Sequence, residues 1–504
     1  MTRLRVSNPE IWKRDALVLL AEEGCPVCVR LIREIPRHFF WFVNEHYYEI
    51  ETVQELRRSY GFCPSHTRDL LHTGSSSVIT TVFGYLTEYA ISRLQRAEAI
   101  LKRAKSGLDG PLVCRRAAET LRSHGICRAC RDLDWQAKHM ISALLHSMAD
   151  PEVRKAYQNS TGLCLPHFRQ AGRLADWDGL CFLAAQIRER LMSMTFSDAT
   201  CTGQLEIAAG LIPGGSVGRK YPQGEETGFS EMPGDPRPRS WSPTLEWIRA
   251  KLHEPGCPVC NACTRGLGRC FYWLAQELKS VRSPQDYWDT SWRLCPSHSW
   301  ELRACGQERA AALTARHIIQ EWLWGLDDLL PAMADRPSHR LMDRMAAAVK
   351  KLGPWSVAAK KEAAGIGGSL LKLLESPASK LDGLRSVAFR EDPCQACVHA
   401  RSTTHRTLDL LLRVVEDPAG REAYVRGSGL CLRHCVTASA LAESPTALSV
   451  LIVAQITRLR LLQWELEESS RKLNWSVRYE PKGPEQSAWL RAAQMFCGVG
   501  IGGG

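Results

Sequence analysis

Apolar residues recur every three or four positions along most of this chain, the spacing that gathers them on one face of a helix. The clearest run is 75–105, where Val78, Val82, Leu86, Ile91, Leu94 and Ile100 share one side, predicting one long helix. The same pattern predicts helices over 130–148, 180–194, 271–279, 310–330, 407–415 and 446–468. Asn8-Pro9 and Gly24 bracket an opening helix, with proline at the start and glycine past the end. After Cys28 the segment VRLIREIPRHFFWFVNEHYY is helical in pattern, but Pro36 inside it predicts a kink or a stop. Alternation of the kind a half-buried strand shows is missing, as is an Asn-Gly hairpin. The expected fold class is all-α.

Two stretches interrupt the pattern. Residues 201–242 are rich in glycine, proline and charge and read as a linker. Residues 337–392, rich in alanine, lysine, glycine and serine, read as an insert. The organisation expected is therefore a first helical half over 1–200, a second over 243–496 and a glycine-rich tail over 497–504. That tail carries one thiol, Cys497, placed where it would be mobile or reach outward.

Candidate chemistry enters with a cysteine–histidine pattern that occurs four times. Cys25 and Cys28 precede Cys63 and His66; Cys127 and Cys130 precede Cys164 and His167. In the second half Cys257 and Cys260 precede Cys295 and His298, and Cys394 and Cys397 precede Cys431 and His434. Each unit offers three thiolates and one imidazole, the ligand set of a closed tetrahedral metal site. Each CxxC and CxxH falls at a predicted helix start, where backbone N–H groups favour thiolate. The expectation is four local sites, each closing a hairpin between a CxxC and the CxxH that follows it.

Zinc suits Cys3His and is the favoured metal. Iron–sulfur clusters of the [4Fe-4S] kind are the alternative, with four of them forming an electron relay, although a histidine ligand is unusual there and the compact cysteine run is missing. Metal-free redox thiols remain a third reading. Covalent haem is excluded, because no CxxC is followed directly by histidine. A cysteine nucleophile with a histidine base is disfavoured by four equivalent copies, since catalysis needs one site. No catalytic residues are assigned.

The units form an A–B pair that is duplicated. The first and third share CPVC and CPSH; the second and fourth share a GLC-x-x-H ending and an upstream echo, Asp150-Pro151-x-x-Arg154-x-Ala156-Tyr157 against Asp417-Pro418-x-x-Arg421-x-Ala423-Tyr424. These motifs, with the late segment NWSVRYEPKGPEQSAWLRAA, resemble a family of bacterial CxxC/CxxH proteins of unknown function, here in doubled form. The resemblance implies metal ligation at the matching cysteines and histidines and no particular reaction. The first half lacks a clear copy of the late segment.

Composition adds little that is specific. The formal charge is +11, and twelve thiolates against four divalent ions would remove a net four of it. That excess is mild for 504 residues and does not by itself indicate nucleic acid. A nucleic-acid-binding zinc protein stays as a further alternative, on basic helix faces such as Arg93 to Lys105. No signal peptide is evident, and apolar runs such as 447–456 are too short to span a bilayer. The expectation is a cytoplasmic binding or scaffold module with a protein partner and no membrane insertion. The tryptophans around 241–324 read as core or interface, the spare cysteines Cys114, Cys181, Cys201, Cys270 and Cys305 as core, and Cys435 as a substitute ligand beside His434.

Overall fold

The computed structural model describes residues 9–103, 110–194, 241–280, 294–305, 308–334, 394–477 and 479–498. Among them every regular element is a helix and there is no strand. The insert expected at 337–392 lies outside the described residues. So does the expected linker, except that Trp241 and Ser242 open a helix.

In the first half the order is α1 (Pro9–Leu20), α2 (Pro26–Trp41), α3 (Ile50–Ser59), α4 (Pro64–Leu71), α5 (Ser76–Arg103), α6 (Gly110–Leu121), α7 (Arg128–Ser147), α8 (Pro151–Asn159), α9 (Leu165–Leu174) and α10 (Trp177–Ser193). The second half gives α11 (Trp241–Leu252), α12 (Pro258–Ser280), α13 (Pro296–Ala304), α14 (Glu308–Ala334), α15 (Gln395–Val414), α16 (Pro418–Arg426), α17 (Leu432–Leu441), α18 (Pro445–Arg471) and α19 (Ala488–Cys497). Apart from α19, the described helices of the second half follow the order of the first: α5 answers to α14, and α10 to α18. Pro36 does not end α2. The helix runs on to Trp41 and loosens only beyond it, into a π-helical turn over Phe42–His46.

The repeated DPxxRxAY segment has a structural reason. Asp150 and Asp417 cap α8 and α16, each accepting a backbone N–H from the first turn of its helix, Glu152 and Gly420 respectively. Arg154 and Arg421 donate back to the carbonyls of Met148 and Val415. Tyr157 and Tyr424 are fully buried, and each carries a guanidinium stacked on its ring, Arg190 at 4.7 Å and Arg458 at 4.9 Å. Those arginines also donate to the backbone carbonyls of Tyr157 and Tyr424.

The halves interleave. The apolar stripe of α5 (Ile79, Val82, Leu86, Leu94) shares a core with that of α18 (Leu448, Leu451, Ile452, Leu459) and with α19 through Phe496. In the reciprocal pairing, α10 packs on α14, where Leu183, Ile187 and Leu191 share a core with Ile318, Ile319 and Leu326. The long A-unit helix of each half thus lies on the long B-unit helix of the other. Each fully buried leucine or isoleucine in these seams contributes roughly 1.5–3 kcal/mol. A smaller third core surrounds the starts of α13 and α15, with Phe271, Leu274 and Leu302.

Helix α18 is long and apolar enough to cross a membrane by length and composition alone, unlike the short apolar run within it. Half of its most apolar window is buried inside the protein, on the stripe that faces α5.

Candidate metal centres

Eight of the helices begin at a CxxC or CxxH. In α2, α4, α7, α9, α12, α13, α15 and α17 the first ligand stands immediately before the helix and the second in its first turn. Proline at the first helical position suits α2, α4, α12 and α13, since that residue has no helical use for its N–H. Two such helix starts meet at every centre. Their aligned peptide dipoles, worth about half a positive charge each, lower the cost of holding thiolates there.

All sixteen cysteines and histidines expected as ligands fall into four groups, each with its ligand atoms within 4.8 Å of one another. The groups are not the local ones the sequence led us to expect. Site 1 joins Cys25 and Cys28 to Cys164 and His167; site 2 joins Cys127 and Cys130 to Cys63 and His66. Site 3 joins Cys257 and Cys260 to Cys431 and His434; site 4 joins Cys394 and Cys397 to Cys295 and His298. Each half holds two centres, but every CxxC is paired with the CxxH of the other unit.

Helix lengths explain the exchange. From Pro26 the chain travels 21 helical residues to His46, then returns through the ten residues of α3. At 1.5 Å per residue that is about 30 Å out and about 15 Å back. Cys63 therefore ends well short of Cys28, and the same holds for α7 and the nine-residue α8. Only the neighbouring unit can bring a CxxH to that helix start.

The geometry is tight. In site 1, Cys28 Sγ lies 3.6 Å from Cys164 Sγ, and His167 Nδ1 lies 3.5, 3.2 and 3.2 Å from the sulfurs of Cys25, Cys28 and Cys164. Site 2 has 3.7 Å between Cys63 and Cys130, and 3.2–3.5 Å from each sulfur to His66 Nδ1. Sites 3 and 4 repeat this, with 3.8 Å between Cys260 and Cys431 and between Cys295 and Cys397. In all four the imidazole turns Nδ1 inward. A single ion with bonds of about 2.3 Å to sulfur and 2.0–2.1 Å to nitrogen has tetrahedral edges of about 3.6–3.8 Å. These groups could hold such ions.

The protonation balance fits a metal-binding set. Burial alone would push His167 down, yet the thiolates of Cys25 and Cys28 hold it up at about 10. His66 is likewise held up at about 10 by Cys127 and Cys63 against its burial. Contact with Cys295, ahead of the cost of burial, holds Cys394 down at about 3. A metal ion would displace the shared protons, so affinity rises with pH and falls on acidification.

The centres differ in exposure. In sites 1 and 3 the sulfurs are largely buried, whereas in site 2 His66 is buried but Cys63 and Cys127 are half-buried and Cys130 is exposed.

Several supporting residues have roles the sequence does not announce, Gly24 reading there only as a helix end. Gly24 and Gly256, both with positive φ, donate their N–H to Thr161 Oγ1 and Ser428 Oγ, tying the turn before each A-unit CxxC to the turn before its partner CxxH. Glu55 on α3 pairs with Arg128 and Arg131, which flank Cys130. Gly498 has φ +92°, and a Cβ there would stand 2.7 Å from Cys260 Sγ.

Other expectations need correction. Cys497 does not reach outward: it ends α19, is buried, and places Sγ 3.0 Å from Thr67 Oγ1 and 3.5 Å from the Phe62 carbonyl. Burial pushes its thiol up to about 11. Residues 499–504 lie outside the described residues, as does Cys201. Cys435 belongs to no metal group and is buried beside Leu432 and Ala438. Cys114 and Cys270 are buried as expected, Cys181 and Cys305 half-buried. Of the tryptophans read as core or interface, Trp273 and Trp324 are exposed and so outside the core.

No curated protein and no solved structure matches the chain. Residues 13–178, a stretch that contains all eight ligands of sites 1 and 2, match the model of a family described as "Family of unknown function (DUF6062)".

Proposed function

We propose that each group binds one zinc ion and that the chain is a metal-stapled binding or scaffold module of a reducing, cytoplasmic compartment. The observation that carries this is the size of the ligand cages. One sulfur–sulfur edge in each centre measures 3.6–3.8 Å and all ligand atoms of a centre lie within 4.8 Å of one another, which suits one tetrahedral ion. The cysteines around a four-iron cube each bind a different iron and would stand farther apart than ligands of a single ion. Four protein atoms per centre leave no position for a substrate, which favours a structural role. Zinc would supply folding free energy, about 10–16 kcal/mol per site in small zinc peptides, and here it would join helix starts up to 177 residues apart in sequence. That all nineteen described cysteines are free thiols accords with a reducing compartment. Exposed aromatic residues such as Trp135 and Trp475 favour a protein partner.

Metal analysis of anaerobically purified protein, together with its absorption spectrum, tests the reading. Four zinc ions per chain and no colour are expected. Brown protein containing iron and acid-labile sulfide would replace it with an electron-transfer subunit.

A further inference from the structure

Beside site 2 lies a cleft of about 630 Å³ between the C-terminal end of α3 and the loop from Arg122 to Ile126 that leads into Cys127. Its walls include Arg58, Arg122, Arg131, His124 and Glu55, with Ile126, 69% exposed, at its edge.

The charges in this cleft do not cancel. Glu55 is already shared between Arg128 and Arg131, which also lie 3.7 and 3.3 Å from Asp132. Arg122 has only a loose pairing, 3.8 Å to Glu119 on the solvent side. No carboxylate pairs with Arg58 among the described residues. Arg93 adds charge behind the loop, with Nη2 3.5 Å from His124 Nε2.

The cleft is also held in shape. The His124 N–H and the Ser123 hydroxyl both donate to the Arg58 carbonyl, at 3.0 and 3.1 Å. Gly125 lies so close to α3 that a Cβ would meet Arg58 and the Ser59 nitrogen at 3.2 Å. Arg58 is thereby presented from α3 without a carboxylate partner, and Arg122 from the facing loop with only its loose pairing to Glu119.

We infer that this cleft binds a small phosphomonoester. Arg58, with no carboxylate partner, and the loosely paired, exposed Arg122 match a phosphoryl dianion, which planar arginine forks grip through paired hydrogen bonds. The exposed Ile126 offers apolar surface to the rest of the ligand, and the volume suits a small molecule. Neither Arg58 nor Arg122 is a metal ligand, so the cleft is the same whichever metal fills site 2.

The test is calorimetric titration of the full, metal-loaded chain with phenyl phosphate, with benzoate and a single-stranded oligonucleotide as separate arms. One saturable phenyl phosphate site is expected. It should weaken at least ten-fold in Arg58→Ala and in Arg122→Ala, recover in part in Arg58→Lys, and be unchanged in Lys138→Ala. Benzoate should bind at least ten-fold more weakly. Circular dichroism and unchanged metal content would show that the variants fold. Absence of saturable binding, or wild-type affinity in either alanine variant, overturns the proposal. Benzoate binding as tight as phenyl phosphate would overturn the phosphoryl assignment. An oligonucleotide that binds through these arginines when phenyl phosphate does not would give the face to nucleic acid. Metal content is measured separately, so failure here is distinct from failure of the zinc reading.

Discussion

At the scale of single residues, the ligands were legible because their chemistry is local. A cysteine two residues before another, at a predicted helix start, signals a thiolate pair wherever the partner lies. The glycines before the second and fourth CxxH were visible as part of the motif, but their role was not, because they act through backbone conformation. Gly429 precedes Leu430-Cys431 with φ +71°, and a Cβ there would fall 2.3 Å from the Arg458 guanidinium. Gly162 stands in the same relation to Arg190 before Cys164. Gly429→Ala should destabilise the protein by at least about 1–2 kcal/mol, the cost of left-handed backbone for a residue with a side chain. The displaced arginine would add lost hydrogen bonds to the Tyr424 carbonyl. Denaturant unfolding of wild type and variant checks this, and equal midpoints would show that the turn has slack the structure does not.

At the scale of elements, helical periodicity located the long helices, but not how early they begin. The motif residues lack apolar spacing, so periodicity alone starts α12 and α15 near Phe271 and Thr407; they start at Pro258 and Gln395, at the CxxC motifs whose chemistry marks a helix start. Pro36 shows the opposite limit: a single breaker did not outweigh the packing of α2, whose Phe39 lies beyond it in the core. The connection from α18 to α19 is fixed by charge. Glu485 accepts from the Gly483 N–H at 2.7 Å and from Lys472 Nζ at 3.0 Å, which together hold its carboxyl down at about 2. Because that is below the unfolded value of about 4.3, ionised Glu485 stabilises the fold above that value, and the contribution is lost as pH falls toward 2. Glu485→Gln should therefore be less stable than wild type from pH 8 to 5, with the gap closing between about pH 4 and 2. Paired unfolding curves at each pH measure it, and a gap that persists unchanged at low pH would mean the carboxylate charge is not what matters.

At the scale of the whole molecule, the duplication was visible but the interleaving was not. The stripes on α5 and α14 announce that they are buried, without naming the helix that buries them. Their partners, α18 and α10, belong to the opposite halves. A chain divided within 201–240 and expressed as separate halves should give fragments that aggregate or remain loosely folded alone and associate when coexpressed, because each exposes the apolar seam of the other. Monodisperse, cooperatively unfolding single halves would contradict the shared cores. The same exchange operates within each half, where matched CxxC-to-CxxH gaps fit local and crossed pairing equally well and only helix length decides. The crossed pairing of ligands is the central claim, and metal stoichiometry of double variants tests it most directly. Removing one of the three thiolates should empty a centre. Cys28→Ser with Cys164→Ser strikes site 1 twice, so it should lose one metal ion per chain. Cys28→Ser with Cys63→Ser strikes sites 1 and 2, so it should lose two. The reverse, two ions lost from the first pair and one from the second, would mean that each CxxC is closed by its own following CxxH.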